Sequence, residues 1–171
     1  MFQDIAKFSN MSDYLPLFIG VLLTDMFVIL LSNMKMFKSV VLKEWYNNYN
    51  LSAVMADVLI IFLVLILTRF LYYRLFDKFS IVQFIILAVV LQVIHDVLFY
   101  LFFKNVPRGM NRMLDTFKDY AKEIGYKAIL ADSGMMIMAS LIASYLASKD
   151  ANTNFIIFIG SLYILPYLLY N

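Results

Sequence analysis

The sequence predicts an all-α, polytopic membrane bundle: two pseudo-repeated helical hairpins plus a C-terminal helix, with amphipathic interfacial helices between spans. Three observations predict it. Residues are 63% apolar and only 15% charged, against about 25% charged in soluble proteins. Five long apolar runs punctuate the chain. Between them lie segments whose apolar residues recur at helical spacing opposite a charged face. The whole chain, 1–171, reads as one integral membrane domain.

The first span is about Tyr14–Ser32, with Pro16 tolerable in a first helical turn. The preceding MFQDIAKFSNMSD lacks a basic n-region, so a retained span is expected rather than a cleaved signal peptide. The segment MKMFKSVVLKEWYNNYN then places Phe37, Val40, Val41, Trp45 and Tyr49 near one face, the pattern of a short helix lying in the headgroups. The second span is about Leu51–Tyr72, with Arg69 expected to snorkel at its far end. The third, about Ile81–Phe103, has 23 residues; at about 1.5 Å each they reach roughly 34 Å, enough to cross hydrocarbon.

The clearest amphipathic helix follows, about Pro107–Ile124. Met110, Met113, Leu114, Phe117, Ala121 and Ile124 recur at steps of three and four, with Gly125 as a stop. The fourth span, about Lys127–Ala147, carries a ladder of small residues. Ala139, Ala143 and Ala147 form one row that would let a helix, from this chain or a second copy, approach closely. The fifth span, about Phe155–Tyr170, is short and contains Pro166.

Lys and Arg set the orientation. If the spans alternate, the loops 33–50 and 104–127 share a side and hold nine basic residues, against five on the other. That bias predicts those loops in the cytoplasm and the N-terminus outside or lumenal. The net charge of +2 gives no reason to expect nucleic acid. The expected partner is the lipid bilayer, and no motif implies a cofactor.

Each of the first four spans contains an acid: Asp25, Asp57, Asp96 and Asp132. In alternating helices all four fall toward one membrane face, about 8–11 Å inside it. An acid at a helix centre costs about 2.5–3.5 kcal/mol on insertion scales, so intramembrane acids normally face protein, water or an ion. His95, the only histidine, and Gln92 one turn earlier complete a candidate proton-, cation- or solute-binding set. The bland reading gives Asp57 and Asp132 a role at helix N-termini and His95 a structural hydrogen bond. One His with carboxylates suits Mg²⁺, Mn²⁺ or Zn²⁺, but no ligand spacing selects a metal. Asp115 and Asp119 in DTFKD match the Asp-x-x-x-Asp of prenyl-transferring enzymes, yet they lie on a charged face and read as solvated. HExxH, GxSxG, GxGD and P-loop motifs are absent.

There is also an internal echo. LLTDMFVILL in the first span parallels VIHDVLFYLF in the third, and AVMAD in the second parallels AILAD in the fourth. Two hairpins of the same orientation would form a parallel repeat.

The acids at Asp25, Asp96 and Asp132 resemble the pattern of a family of small bacterial four-span membrane proteins of unknown function. In that family an acid closes the first span, an aromatic–Asp pair lies in the third and an Asp opens the fourth. Here His95-Asp96 replaces the aromatic–Asp pair, and Ser-Gly-Met follows Asp132. The Asn/Tyr/Phe/Ile/Lys-rich style is also similar to membrane proteins of large DNA viruses. The resemblance covers about Tyr14–Ala147 and implies a fold but no activity. Two roles therefore stand: transporter- or channel-like handling of a proton, cation or small solute, or a structural or assembly role with protonated aspartates as inter-helix glue. An intramembrane enzyme comes third.

Overall fold

The structure, a computed structural model, describes residues 2–170. Those residues form seven α-helices and no strand. The helices are α1 (Tyr14–Asn33), α2 (Val40–Tyr49), α3 (Leu51–Leu75), α4 (Ile81–Asn105), α5 (Arg112–Ile124), α6 (Lys127–Leu146) and α7 (Ala151–Leu169). Five of them, α1, α3, α4, α6 and α7, are long and apolar enough to cross a membrane. The protein is thus an all-α chain with the build of a multi-pass membrane protein.

Helix ends follow local chemistry. Ser39 accepts from the Leu42 amide at 3.0 Å to start α2, and Asn111 accepts from Leu114 at 3.1 Å to start α5. The helix predicted from Pro107 therefore begins later, at Arg112, because the cap and not the proline fixes its first turn. Asp150 likewise caps α7 through Thr153 at 2.9 Å, moving the start ahead of the predicted Phe155. Asn50, at φ 46°, breaks α2 from α3, and Gly125, at φ 55°, breaks α5 from α6. Both hold a positive φ, a backbone conformation that glycine adopts at least cost.

α1 packs on α3, α6 and α7, while α4 packs on α3 and α6. Four spans thus close a ring, α1–α3–α4–α6, with neighbours antiparallel, and α7 lies outside against α1. The α1–α6 contact is the most extensive. It exists because Gly20 has no side chain: a Cβ there would sit 2.8 Å from the Ala139 carbonyl oxygen and 2.9 Å from the Ala143 amide nitrogen. Ala139 and Ala143 are fully buried in this contact, so those two members of the small-residue ladder are occupied within the chain. A hydrophobic cluster led by Leu17, Val21, Ile61, Leu65, Phe84 and Met136 fills the ring.

α2 and α5 pack against each other at the end of the ring where α1 and α4 finish. Trp45 and Phe117 meet at 4.8 Å between ring centroids, and the hydroxyls of Tyr49 and Thr116 lie 3.0 Å apart. Glu123 of α5 accepts from Ser39 Oγ at 2.6 Å, the Val40 amide at 2.8 Å and the Val41 amide at 3.2 Å. It thereby satisfies free N–H groups in the first turn of α2. Its carboxyl feels burial, which raises its pKa, but these three bonds outweigh that and hold it below the usual glutamate range.

The opposite end departs from expectation. Arg69 does not snorkel; it is 1% exposed. The N-terminal segment folds across it, and Arg69 Nη2 donates to the carbonyls of Lys7 at 2.5 Å and Asn10 at 2.8 Å and pairs with Asp13 at 3.3 Å. Its guanidinium also lies 4.5 Å from the Tyr14 ring centre.

Candidate functional site

All four acids lie in the part of their helix nearer α2 and α5. Asp25, on α1, is fully buried. Its Oδ1 accepts from the Tyr46 hydroxyl at 2.8 Å, while its Oδ2 is buried with no hydrogen-bond partner. Asp57, on α3, accepts from the Trp45 indole N–H at 2.8 Å. The Tyr46 hydroxyl reaches both carboxylates: burial raises its pKa well above the ordinary tyrosine value, and the charges of Asp25 and Asp57 push the same way.

On the other side of the ring, Asp96 Oδ1 accepts from Gln92 Nε2 at 2.6 Å and lies 3.2 Å from His95 Nδ1. The i, i+4 spacing puts Gln92 and Asp96 one above the other on α4. Asp96 Oδ2 and Gln92 Oε1 are buried without partners. His95 turns its ring away from the ring centre. It stacks on Phe99 with centroids 5.7 Å apart and lines an apolar groove between α3 and α4 with Ile60, Val64, Leu91 and Leu98. Asp132, on α6, is half-buried. Burial raises the pKa of the nearby Tyr120 hydroxyl of α5, and the charges of Asp132, Asp57 and Glu123 push it the same way.

Three features limit the chemistry. Among the described residues no three His, Asp or Glu side chains converge to hold a metal ion. Among the described residues none of the four acids hydrogen-bonds to another spanning helix; the partners of Asp25 and Asp57 lie on α2 and those of Asp96 within α4. Two grooves, one between α3 and α4 that His95 borders and one beside Arg69, are lined by none of the four acids. Asp115 and Asp119 are engaged locally. Asp119 pairs with Arg108 at 2.5 Å, and Asp115 accepts from the Gly109 amide at 2.8 Å and lies 3.6 Å from Lys118.

Trp45 and Tyr46 are the functional neighbours that the sequence pattern hides. Trp45 reads as an apolar-face residue of a surface helix, and Tyr46 has no assigned role. Their signal is chemical: an indole N–H and a phenol, buried, need acceptors, and they stand 12 and 11 positions before Asp57 in the chain. No known protein family, curated protein or solved structure matches this chain.

Proposed function

We infer that this multi-pass membrane protein handles protons, binding and releasing them at buried aspartates in the α1–α3–α4–α6 ring. One observation carries the reading. Asp25 and Asp96 each hold one oxygen on a neutral donor and leave the other buried and unpartnered. An ionised carboxylate is supported by the donor, and a proton is the one ligand that the free oxygen can take without a cavity or further ligands. A buried polar atom left unsatisfied costs about 1–3 kcal/mol, so its recurrence at two related positions favours a group that changes protonation. His95 and Gln92 orient Asp96, while Asp57 and Asp132 act on the centre through charge.

The internal echo extends this proposal. α1–α2–α3 and α4–α5–α6 share a plan: a span, a capped amphipathic helix, a residue at positive φ and a span. Aligning the echo LLTDMFVILL with VIHDVLFYLF pairs Asp25 with Asp96, each with one buried, unpartnered oxygen. We assign the α2–α5 end to the cytoplasm on the nine-to-five basic asymmetry and place both helices in the membrane surface. Cysteine labelling with an impermeant reagent on intact cells tests the orientation. Modification of Thr116→Cys but not Ser9→Cys would reverse it.

The structural rival draws on the closed cover: Trp45 and Tyr46 seal two acids under α2. It is weakened because the acids do not join one spanning helix to another. Reconstitution into liposomes under an imposed pH gradient separates the two. Wild type should collapse the gradient faster than empty liposomes, and Asp25→Asn and Asp96→Asn should each abolish the difference. Collapse at the empty-liposome rate by folded wild-type protein would sink the proton reading.

A further inference from the structure

We propose that the groove beside Arg69, at the end of the ring opposite the acids, binds the phosphate of a membrane lipid. The groove encloses about 430 Å³ between the N-terminal segment and the last turns of α3. Three cations border it, Lys7, Arg69 and Arg74. The carboxylates that contact these cations are two, Asp4 and Asp13, and the pairing is uneven. Asp13 is taken by Arg69 at 3.3 Å. Asp4 is 4.0 Å from Lys7 and also accepts from the Tyr73 hydroxyl at 2.6 Å. Among the described residues Arg74 has no carboxylate partner; its guanidinium donates to the Phe70 carbonyl and lies 3.6 Å from the Phe70 ring centre. Arg69 beneath the groove keeps Nε and Nη1 without hydrogen-bond partners. The groove therefore holds an excess of positive charge, with Lys7 and Arg74 within reach of a ligand and Ser9 as a further hydroxyl donor.

Its position selects the source of the anion. Arg74 lies at the end of a 25-residue apolar helix, where a span leaves hydrocarbon. Phe8, Phe70 and Tyr73 are each more than 40% exposed at that level, forming the aromatic margin typical of the bilayer interface. Basic side chains there attract lipid anions. The exposed rings offer contact to the glycerol and upper acyl carbons, and Lys7, only loosely paired with Asp4, and Arg74 offer contact to phosphate. This site stands independently of the proton centre.

Native mass spectrometry of the full-length protein, released from vesicles of phosphatidylglycerol, phosphatidylcholine or diacylglycerol, tests it. Wild type should retain one phospholipid of either kind and no diacylglycerol. The double variant Lys7→Gln/Arg74→Gln should lower phospholipid occupancy about tenfold, with Arg74→Gln alone giving part of that loss. Lys122→Gln, on α5 at the other end, should leave it unchanged. Equal retention by the double variant, equal retention of diacylglycerol, or equal loss in Lys122→Gln would overturn the proposal. So would tight binding of inorganic phosphate by protein that retains no lipid, which would assign the groove to free phosphate.

Discussion

At the end of the ring where α1 begins, Arg69 and Asp13 are buried together at 3.3 Å, with side chains 0% and 5% exposed. The cation there also has two backbone carbonyls. At the other end Asp25 is equally buried, but its partner is a neutral phenol and its second oxygen has none. The first arrangement gives each charge an opposite charge as its partner. The second tolerates two charge states. A buried ion pair ties the N-terminal segment onto α3, whereas a buried acid with one free oxygen retains the capacity to change.

Breaking the ion pair should have the largest effect. Arg69→Met leaves Asp13 buried without its counter-charge and should cost about 3–5 kcal/mol, read as a lower denaturation midpoint in detergent micelles. The double variant Arg69→Met/Asp13→Leu should recover most of that loss. Next is the close approach of α1 and α6. Gly20→Ala places a Cβ against backbone atoms at 2.8 and 2.9 Å that have little room to move, and should cost about 1–3 kcal/mol by the same measurement. Tyr46→Phe at the acid end leaves Asp25 with neither oxygen bonded, for about 1–3 kcal/mol. If Asp25→Asn removes most of the Tyr46→Phe penalty, the cost lies in the charge; an undiminished penalty would assign it to packing alone.

The smallest expected effect is pH-dependent and sits between α2 and α5. Three hydrogen bonds hold the Glu123 carboxyl below its ordinary value near 4.5. A depressed carboxyl contributes stability that is full above that ordinary value and fades as pH falls through the lower, folded-state value. Trp45, the only tryptophan, packs on Phe117 and reports the contact. Its emission should shift on acidification below about pH 4.5, and Glu123→Gln should remove that step. An identical step in the variant would assign it to another group.

Much of the fold was legible because hydrocarbon imposes its own pattern. The spans expected at 14–32, 51–72 and 81–103 became helices at 14–33, 51–75 and 81–105. The extra turns run through Arg74 and Lys104, where hydropathy falls but the backbone stays helical. The fourth span ended one residue early, at Leu146. The starts of α5 and α7 were missed because Asn111 and Asp150 act as caps, a signal carried by single polar residues and invisible to apolar periodicity. At the site, the acids stand out in the sequence because each interrupts an apolar run. Their partners do not, since Trp45 and Tyr46 are ordinary in an amphipathic helix until the fold brings α1 and α3 beneath them. Arg69 was misread for a similar reason: a cation near a span's end usually reaches water, and only the N-terminal segment folding across it prevents that.

The central claim is that Asp25 and Asp96 exchange protons in a bundle that stays folded. Infrared difference spectroscopy of the reconstituted protein across a pH titration tests it most directly, with Asp25→Asn and Asp96→Asn as band assignments. A protonated-carboxyl band that grows reversibly as pH falls, and that loses intensity in each variant while the helical amide band is unchanged, is the predicted result. A carboxyl signal that stays constant across the range, or that changes only when the helical band collapses, would contradict it.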